Sequence, residues 1–221
     1  MEINLGNEGL KNVLTMLQRK STSQFLQDFF VLQQTNFKSN GYFVEFGATN
    51  GVRWSNTHLL EKEFQWQGII AEPARCWHGE ILKNRSCNID FRCVWKESGV
   101  TLMFNEARNP DLSTIDAFSD ADLWADQRGD GKRYPVKTVA LMDLLDAYRA
   151  PREIDYLSID TEGSELEILS AFDFDQYDIR IITCEHNQSA TREEIHALLR
   201  SKGYVRTDQS ESPYEDWFVR R

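Results

Sequence analysis

Hydrophobic residues along the chain follow two spacings, one typical of β-strands and one typical of helices. Short runs rich in β-branched and aromatic residues lie at positions 42–46, 69–71, 89–95, 100–104, 136–139, 154–159 and 179–184. Between most of these runs, apolar residues recur every three or four positions, as on one face of a helix. Strands that alternate with helices indicate an α/β fold with a mostly parallel sheet. A chain of 221 residues has the length of one such domain.

Helical spacing also precedes the first strand and predicts two N-terminal helices. The first covers residues 10–17. The second begins at Ser23 and places Gln24 and Asp28 side by side, because they are four residues apart. We expect these helices, within residues 1–40, to cover a ligand pocket of the main domain, residues 41–221. A solvated helix face is the alternative interpretation of Gln24 and Asp28.

Two β-hairpins are predicted. One joins residues 89–95, taken as a single strand, to residues 100–104. The other lies at the C-terminus, where short apolar runs at 204–206 and 217–220 flank a polar turn at 210–213. A hairpin that follows parallel strand–helix units adds an antiparallel strand to the sheet. The sequence therefore predicts a mixed sheet.

Residues 105–135 interrupt the alternation of strands and helices. Turn signals recur there, including Asn109-Pro110 and Gly129-Asp130-Gly131. A long irregular segment inside a compact domain is usually functional or disordered. Scattered apolar residues such as Leu112 and Trp124 argue against disorder. We interpret the segment as an ordered flap over a substrate, with Trp124 as a candidate substrate contact.

The first strand runs directly into a glycine turn. Tyr42–Phe46 is followed by Gly47-Ala48-Thr49-Asn50-Gly51 and then by a helical pattern. Such a turn lets the backbone approach a ligand closely and directs helix N–H groups at it. About 20 residues further on, Glu72 follows the second strand, where a carboxylate binds both hydroxyls of a ribose. The sequence predicts a site for a nucleoside-containing cofactor.

Three polar residues end two later strands. Asp160 follows the run at 154–159, and Glu185 and His186 follow the run at 179–184. Because open α/β sheets bind ligands at the carboxyl ends of their strands, we expect all three to face one crevice. His186 is a candidate general base, whereas Asp160 and Glu185 could hold Mg²⁺ through oxygen ligands. Base catalysis without a metal is favoured slightly. The alternatives are a helix-capping role for Asp160 and Glu162, and ordinary hydrogen-bonded polar groups at the strand ends.

Charge and composition exclude several classes of protein. The net charge of -10 argues against a nucleic-acid partner, because binding to a phosphate backbone depends on clustered Lys and Arg. No run approaches the roughly 18 apolar residues of a membrane span. The first residues lack the basic head and apolar run of a signal peptide. The four cysteines show no metal-ligand spacing. We therefore expect a cytoplasmic protein with reduced, buried thiols.

Several of these segments together resemble the FkbM-type family of S-adenosylmethionine-dependent methyltransferases. The motifs that carry the resemblance are Ser23-Gln24, Gln27-Asp28, Phe43-Val44-Glu45-Phe46-Gly47-Ala48 through Gly51, Glu72-Pro73, Val139-Ala140-Leu141-Met142-Asp143-Leu144-Leu145 and Ile159-Asp160-Thr161-Glu162-Gly163-Ser164-Glu165-Leu166. The likeness extends from about residue 23 to the C-terminus, but residues 105–135 match no family motif. It implies a single Rossmann-like class I methyltransferase domain of the α/β class. Its mostly parallel seven-stranded sheet would have an antiparallel C-terminal strand and helices on both faces.

The resemblance also implies a cofactor site. Its members would be Glu45, Gly47, Ala48, Gly51, Glu72, Pro73, Cys93, Val94 and Asp160. In this assignment Glu45, Gly47 and Gly51 border the methionine portion of S-adenosylmethionine, and Glu72 holds the ribose. The backbone near Cys93 and Val94 flanks the adenine, and Asp160 lies near the sulfonium.

The function implied by the resemblance is methylation of a hydroxyl on a sugar or another small metabolite. A nicotinamide-dependent oxidoreductase is one alternative, but it expects the third glycine of G-x-G-x-x-G, which the turn from Gly47 to Gly51 lacks. A non-catalytic member that binds the cofactor or a partner is the other. The presence of Glu45, Glu72 and Asp160 argues against that alternative.

Overall fold

The computed structural model describes residues 7–207 and 212–221. The helices are α1 Asn7–Lys20, α2 Gln27–Gln34, α3 His58–Phe64, α4 His78–Asn84, α5 Ala125–Arg128, α6 Leu141–Ala147, α7 Glu165–Ser170 and α8 Arg192–Ser201. The strands are β1 Tyr42–Phe46, β2 Gln67–Ala71, β3 Asn88–Asp90, β4 Cys93–Trp95, β5 Thr101–Glu106, β6 Thr114–Ile115, β7 Lys132–Ala140, β8 Glu153–Ile159, β9 Asp178–Glu185, β10 Tyr204–Arg206 and β11 Glu215–Arg220. Two 3₁₀ turns, Pro110–Leu112 and Asp116–Phe118, lie between β5 and β7.

Seven strands form the main sheet in the order β10-β11-β9-β8-β1-β2-β3. The five strands from β9 to β3 are parallel, whereas β11 is antiparallel to both of its neighbours. A dinucleotide-binding sheet with strand order 3-2-1-4-5-6 lacks such an inserted antiparallel strand. The predicted mixed seven-stranded sheet and its terminal hairpin are confirmed, although the predicted turn at 210–213 lies partly outside the described residues.

Helices cover both faces of the main sheet because its central strands bury side chains on both sides. On one face, Val44 and Leu157 pack with apolar residues of α6, α7 and α8. On the other face, Phe43 and Tyr156 pack with α2, α3 and α4. Successive strand residues point to opposite faces, so neighbouring positions contribute to different cores. This arrangement confirms the predicted fold class.

A second sheet, with the strand order β4-β7-β5-β6, was not predicted. Residues 89–95 form two short strands in different sheets, since β3 pairs with β2 and β4 pairs with β7. The prediction of a single strand there was wrong. The prediction of a hairpin to the next strand was also wrong, because β5 pairs antiparallel with β7 and β6. Strand propensity identifies strands but does not select their long-range partners.

The second N-terminal helix begins later than predicted. Leu26 has a left-handed backbone (φ 62°) and immediately precedes α2. Gln24 therefore lies in a turn rather than on the helix, and it does not pair with Asp28, which is buried.

Among the described residues, no helix is long and apolar enough to cross a membrane. From the sequence, all four thiols were expected to be buried. Cys93 and Cys184 are buried, but Cys76 is exposed, so the expectation was wrong for Cys76.

Candidate active site

Four parallel strands of the main sheet end at the same level. The last residue of β1, Phe46, is in register with Ala71 of β2 and with Ile159 of β8. Ile159 is in turn in register with Cys184 of β9. The next residue of each strand is therefore brought to one edge of the sheet. Those four residues are Gly47, Glu72, Asp160 and Glu185.

A cavity of about 300 Å³ opens at this edge. Its residues come from the strand ends, from the turn after β1, and from residues 109–127, between β5 and β7. Residues 107–131, which close one side of the cavity, are called the roof segment below. Amide and aromatic side chains line the cavity beside the strand-end residues, and these are Gln24, Trp54, Trp77, Phe104, Asn109, Trp124, Gln127, Asn187 and Tyr214.

The turn after β1 places its backbone at the cavity wall. Gly47 has a φ of +79°, and a Cβ atom there would lie 2.0 Å from the carbonyl oxygen of Asp160. Only glycine fits this position, since both the conformation and the close approach exclude a side chain. Gly51 also has a positive φ, but its neighbours are Arg85 and Ile81. Ala48 is fully buried in the core. Of these three predicted residues, Gly47 is the one that lines the cavity.

Glu45, expected to border the methionine portion, lies behind the cavity wall. Its carboxylate accepts hydrogen bonds from Ser55 Oγ at 2.9 Å, the Asn56 N–H at 2.5 Å and Thr57 Oγ1 at 2.6 Å. Arg85 Nη1 lies 3.6 Å from the same carboxylate. These contacts tie the segment before α3 to β1. Glu45 is absent from the cavity lining, so its contacts are those of a residue that shapes the site.

Glu72 lies on the cavity wall and is 5% exposed. Its Oε2 accepts the N–H of Thr49 at 3.0 Å, and its Oε1 accepts the N–H of Ala74 at 2.8 Å. Burial raises the pKa of Glu72 to about 8. A carboxylate has about four lone-pair sites, so two backbone donors leave capacity for two hydroxyl groups. Its position and remaining acceptors fit a ribose diol.

Pro73, Cys93 and Val94 line the cavity on the side of Glu72. Cys93 and Val94 are buried, and burial raises the pKa of the Cys93 thiol to about 12. A neutral thiol and a valine form an apolar wall. Such a surface fits the flat apolar faces of a nucleobase.

Three carboxyl groups converge on the opposite side of the cavity. Asp160, Glu162 and Glu185 each place an oxygen within 4.8 Å of the others. Burial raises the pKa of Asp160 to about 8 and raises the pKa values of Glu162 and Glu185 well above their usual range. Carboxylates this close disfavour ionisation of one another, so Asp160 adds to the effect of burial at both Glu162 and Glu185.

Glu162 was considered only as a helix cap in the sequence, but it forms part of the cavity. Its backbone is left-handed (φ 59°), and its Oε2 accepts hydrogen bonds from Arg128 Nη2 at 2.6 Å and Asn187 Nδ2 at 2.9 Å. Glu165 accepts the N–H groups of Thr161 and Gly163, which stabilises the turn that carries Glu162. The Glu-Gly-x-Glu spacing in the sequence was the available signal for this turn.

His186 does not face the crevice, so that expectation was wrong. The backbone N–H of His186 donates to the carbonyl of Tyr214 at 2.8 Å. Its ring Nδ1 accepts the N–H of Gln188 at 2.9 Å, and its ring Nε2 lies 3.8 Å from Asp216 Oδ1. Burial lowers its pKa. Successive residues of an extended strand point in opposite directions, so Glu185 and His186 cannot both face the cavity. Asn187 lines the cavity instead.

The three carboxyl groups are also the candidate metal ligands. Their oxygens suit a hard cation such as Mg²⁺, and this set adds Glu162 to the predicted Asp160 and Glu185. However, one Glu162 oxygen already accepts two hydrogen bonds, and a guanidinium compensates its charge. The three carboxyl groups therefore have suitable oxygen ligands for a hard cation, but Arg128 already supplies one positive charge to the cluster.

The sheet order, the glycine turn and the acidic strand ends define a class I methyltransferase. Comparison with known proteins gives the family. The methyltransferase FkbM domain matches residues 45–206, and the chain belongs to this family. A relative, methyltransferase sdnD of Sordaria araneosa, is 26% identical over 205 residues, which cover 80% of this chain and 78% of the relative.

Solved structures of methyltransferases are also similar to this chain. A precorrin-6y C5,15-methyltransferase of Geobacter metallireducens GS-15 has 12% identity and a TM-score of 0.45, over 91% of this chain and 93% of that one. A ribosomal protein L11 methylase of Lactobacillus delbrueckii subsp. bulgaricus has 9% identity and a TM-score of 0.43, over 88% of this chain and 77% of that one. Neither likeness bears on the substrate of this chain.

Proposed function

We propose that this methyltransferase binds S-adenosylmethionine in the strand-end cavity and methylates a hydroxyl of a sugar or another small metabolite. The observation that carries the proposal is the arrangement of Glu72 and Asp160 on opposite sides of Gly47, at the ends of three adjacent strands. One carboxylate has spare acceptors for a ribose. The other lies in an acidic cluster that favours a cationic sulfonium. Both features serve one elongated ligand.

Each group of cavity residues has its own role in the proposed reaction. Bound S-adenosylmethionine supplies an electrophilic methyl group. Glu72 holds the ribose, and the apolar wall at Cys93 and Val94 contacts the adenine. Asp160 would accept the proton that the acceptor hydroxyl loses on methylation, and S-adenosylhomocysteine would be the leaving group. A pKa of about 8 suits this role, because a base works best when its pKa is near the operating pH.

The roof segment and nearby aromatic residues form the proposed acceptor side. Trp124 and Tyr214 line the cavity with ring centroids 6.3 Å apart, and Gln24 and Gln127 line the same cavity. Aromatic faces pack on the C–H faces of a sugar, and amides both donate to and accept from hydroxyl groups. This combination supports a neutral, hydroxyl-rich acceptor.

Ligand binding tests the proposal without knowledge of the acceptor. Calorimetry with S-adenosylmethionine, S-adenosylhomocysteine and NAD should show binding of the first two alone. Glu72→Ala should weaken the binding of S-adenosylmethionine about 10–100-fold, because the two ribose hydroxyls would each lose a hydrogen bond that contributes ~0.5–1.5 kcal/mol. Glu97→Ala, at an exposed glutamate outside the cavity, is the matched control. Preferential binding of NAD, or unchanged affinity of the Glu72→Ala variant, would contradict the proposal.

Transfer itself distinguishes an enzyme from a non-catalytic member of the family. Incubation with S-adenosylmethionine labelled in the methyl group and a panel of sugars and small hydroxyl compounds should label an acceptor. Cofactor binding with no transfer to any acceptor would favour the non-catalytic alternative. The cytoplasmic location and the covering role of residues 1–40 remain predictions from the sequence.

A further inference from the structure

Acidic and basic side chains are unevenly represented in the cavity lining. Five acidic side chains line it, and they are Glu72, Asp111, Asp160, Glu162 and Glu185. Among the described lining residues, Arg53 is the one cationic side chain. An anionic group that enters this cavity therefore has a single cationic partner available on its wall. That partner is the guanidinium of Arg53.

The backbone of Arg53 is fixed in the same turn that approaches the ligand. Its carbonyl accepts a hydrogen bond from Thr49 Oγ1 at 2.6 Å, and its N–H donates to Asn50 Oδ1 at 2.9 Å. The N–H of Thr49 also donates to Glu72. One short turn thus connects the proposed ribose-binding carboxylate, Gly47 and the arginine. Glu72, Gly47 and Arg53 therefore line one cavity along the same turn.

The side chain of Arg53 is oriented but retains donors. Its Nη2 lies 2.7 Å from Asp111 Oδ2, and its guanidinium carbon lies 5.7 Å from the centre of the Trp54 ring. The side chain is 54% exposed. A guanidinium has five N–H donors, and Asp111 occupies one side of the group. The remaining donors can form the paired hydrogen bonds that arginine makes with a second carboxylate.

We propose that Arg53 binds the α-carboxylate of the methionine moiety of S-adenosylmethionine. This inference rests on the proposed function and assigns the end of the ligand opposite the ribose. Asp111 positions the guanidinium from the roof segment, so cofactor binding connects that segment to the turn after β1. An anionic acceptor is the competing ligand for Arg53, and the experiment below separates the two.

The test compares S-adenosylmethionine with its decarboxylated form, which keeps the sulfonium and the amine but lacks the carboxylate. Calorimetry should show that the wild type binds S-adenosylmethionine about 10-fold more tightly. Arg53→Gln should remove this preference, because it should weaken the binding of S-adenosylmethionine and leave the binding of the decarboxylated form unchanged. Arg53→Lys should retain part of it, because a lysine keeps the charge but not the paired geometry.

Arg108→Gln is the matched control, since Arg108 is an exposed arginine of the roof segment outside the cavity lining. It should keep the wild-type preference. A full preference in the Arg53→Gln variant, or equal weakening of both ligands, would overturn the inference and leave the proposed function intact. Failure of the wild type to bind either ligand would overturn the proposed function and the inference together.

Discussion

Arg128 Nη2 lies 2.6 Å from Glu162 Oε2, and both side chains are buried. Arg128 also pairs with Asp122 and donates from Nε to the carbonyl of Leu112 at 2.8 Å. It therefore connects three parts of the roof segment to the turn after β8. Thr114 supports the same connection, because its Oγ1 donates to the carbonyl of Glu162 at 2.8 Å. The Arg128 guanidinium and the Thr114 hydroxyl together join the roof segment to the carboxyl cluster.

Removal of the guanidinium should destabilise the protein strongly. Arg128→Met leaves two buried carboxylates without a cation, which costs ~3–5 kcal/mol. Urea denaturation should show this loss in the free energy of unfolding. Arg133→Met is the matched control, because its ion pair with Asp116 is 40% and 35% exposed and such pairs contribute about 1 kcal/mol or less. Similar losses in the two variants would contradict the assigned role of Arg128.

Glu72 should make stability depend on pH. The folded pKa of about 8 lies above the unfolded value of ~4.3. Between these values the unfolded chain has lost a proton that the folded chain retains, so the contribution of Glu72 to stability falls as pH rises. Relative to Glu72→Gln, the wild type should lose free energy of unfolding between pH 5 and 9. Parallel curves for the two proteins would rule out the raised pKa.

Gly47→Ala should be more damaging than an equivalent change elsewhere. Gly47 and Gly99 have φ values of +79° and +80°, but a Cβ atom at Gly99 meets nothing within 4 Å. Gly99→Ala should cost ~1–2 kcal/mol from backbone strain alone. Gly47→Ala adds the collision with Asp160, so it should cost more and abolish binding of S-adenosylmethionine. Equal unfolding energies, or retained binding, would show that the turn relaxes.

Turnover should depend on Asp160 and not on His186. Once an acceptor is known, Asp160→Asn should reduce turnover ~10²–10⁴-fold, the usual contribution of a positioned base. His186→Asn preserves an acceptor for the Gln188 N–H and should leave turnover near that of the wild type. Activity should persist in EDTA, because a carboxylate base needs no metal. Loss of activity in EDTA that Mg²⁺ restores would instead assign the carboxyl cluster to metal binding.

Trp124→Ala should affect the acceptor and not the cofactor. Trp124 lines the cavity from the roof segment, on the side proposed for the acceptor. Its loss should raise KM for the acceptor with little change in the Kd of S-adenosylmethionine. Leu123→Ala, at an adjacent residue that is 50% exposed and outside the lining, should change neither value. A large loss of cofactor affinity in a folded Trp124→Ala variant would contradict this division of the cavity.

The candidate site could be predicted in part because strand ends are visible in the sequence. Glu72, Asp160 and Glu185 each follow an apolar run, and parallel strands bring such positions to one edge. His186 was misassigned because an apolar run gives the end of a strand but not which of its last residues points into the cavity. The second sheet was missed because β5 and β7 are separated by the whole roof segment.

The sequence by itself determined the alternation of strands and helices that builds the main sheet, the glycine turn, the acidic strand ends and the family. These properties follow from local conformation and from residues close together in the chain. The tertiary structure alone decided that Arg53 faces the cavity, that Arg128 joins the roof segment to Glu162, and that Asn187 replaces His186. Arg128 and Glu162 lie 34 positions apart. Such a contact depends on packing and side-chain direction, which local sequence patterns do not encode.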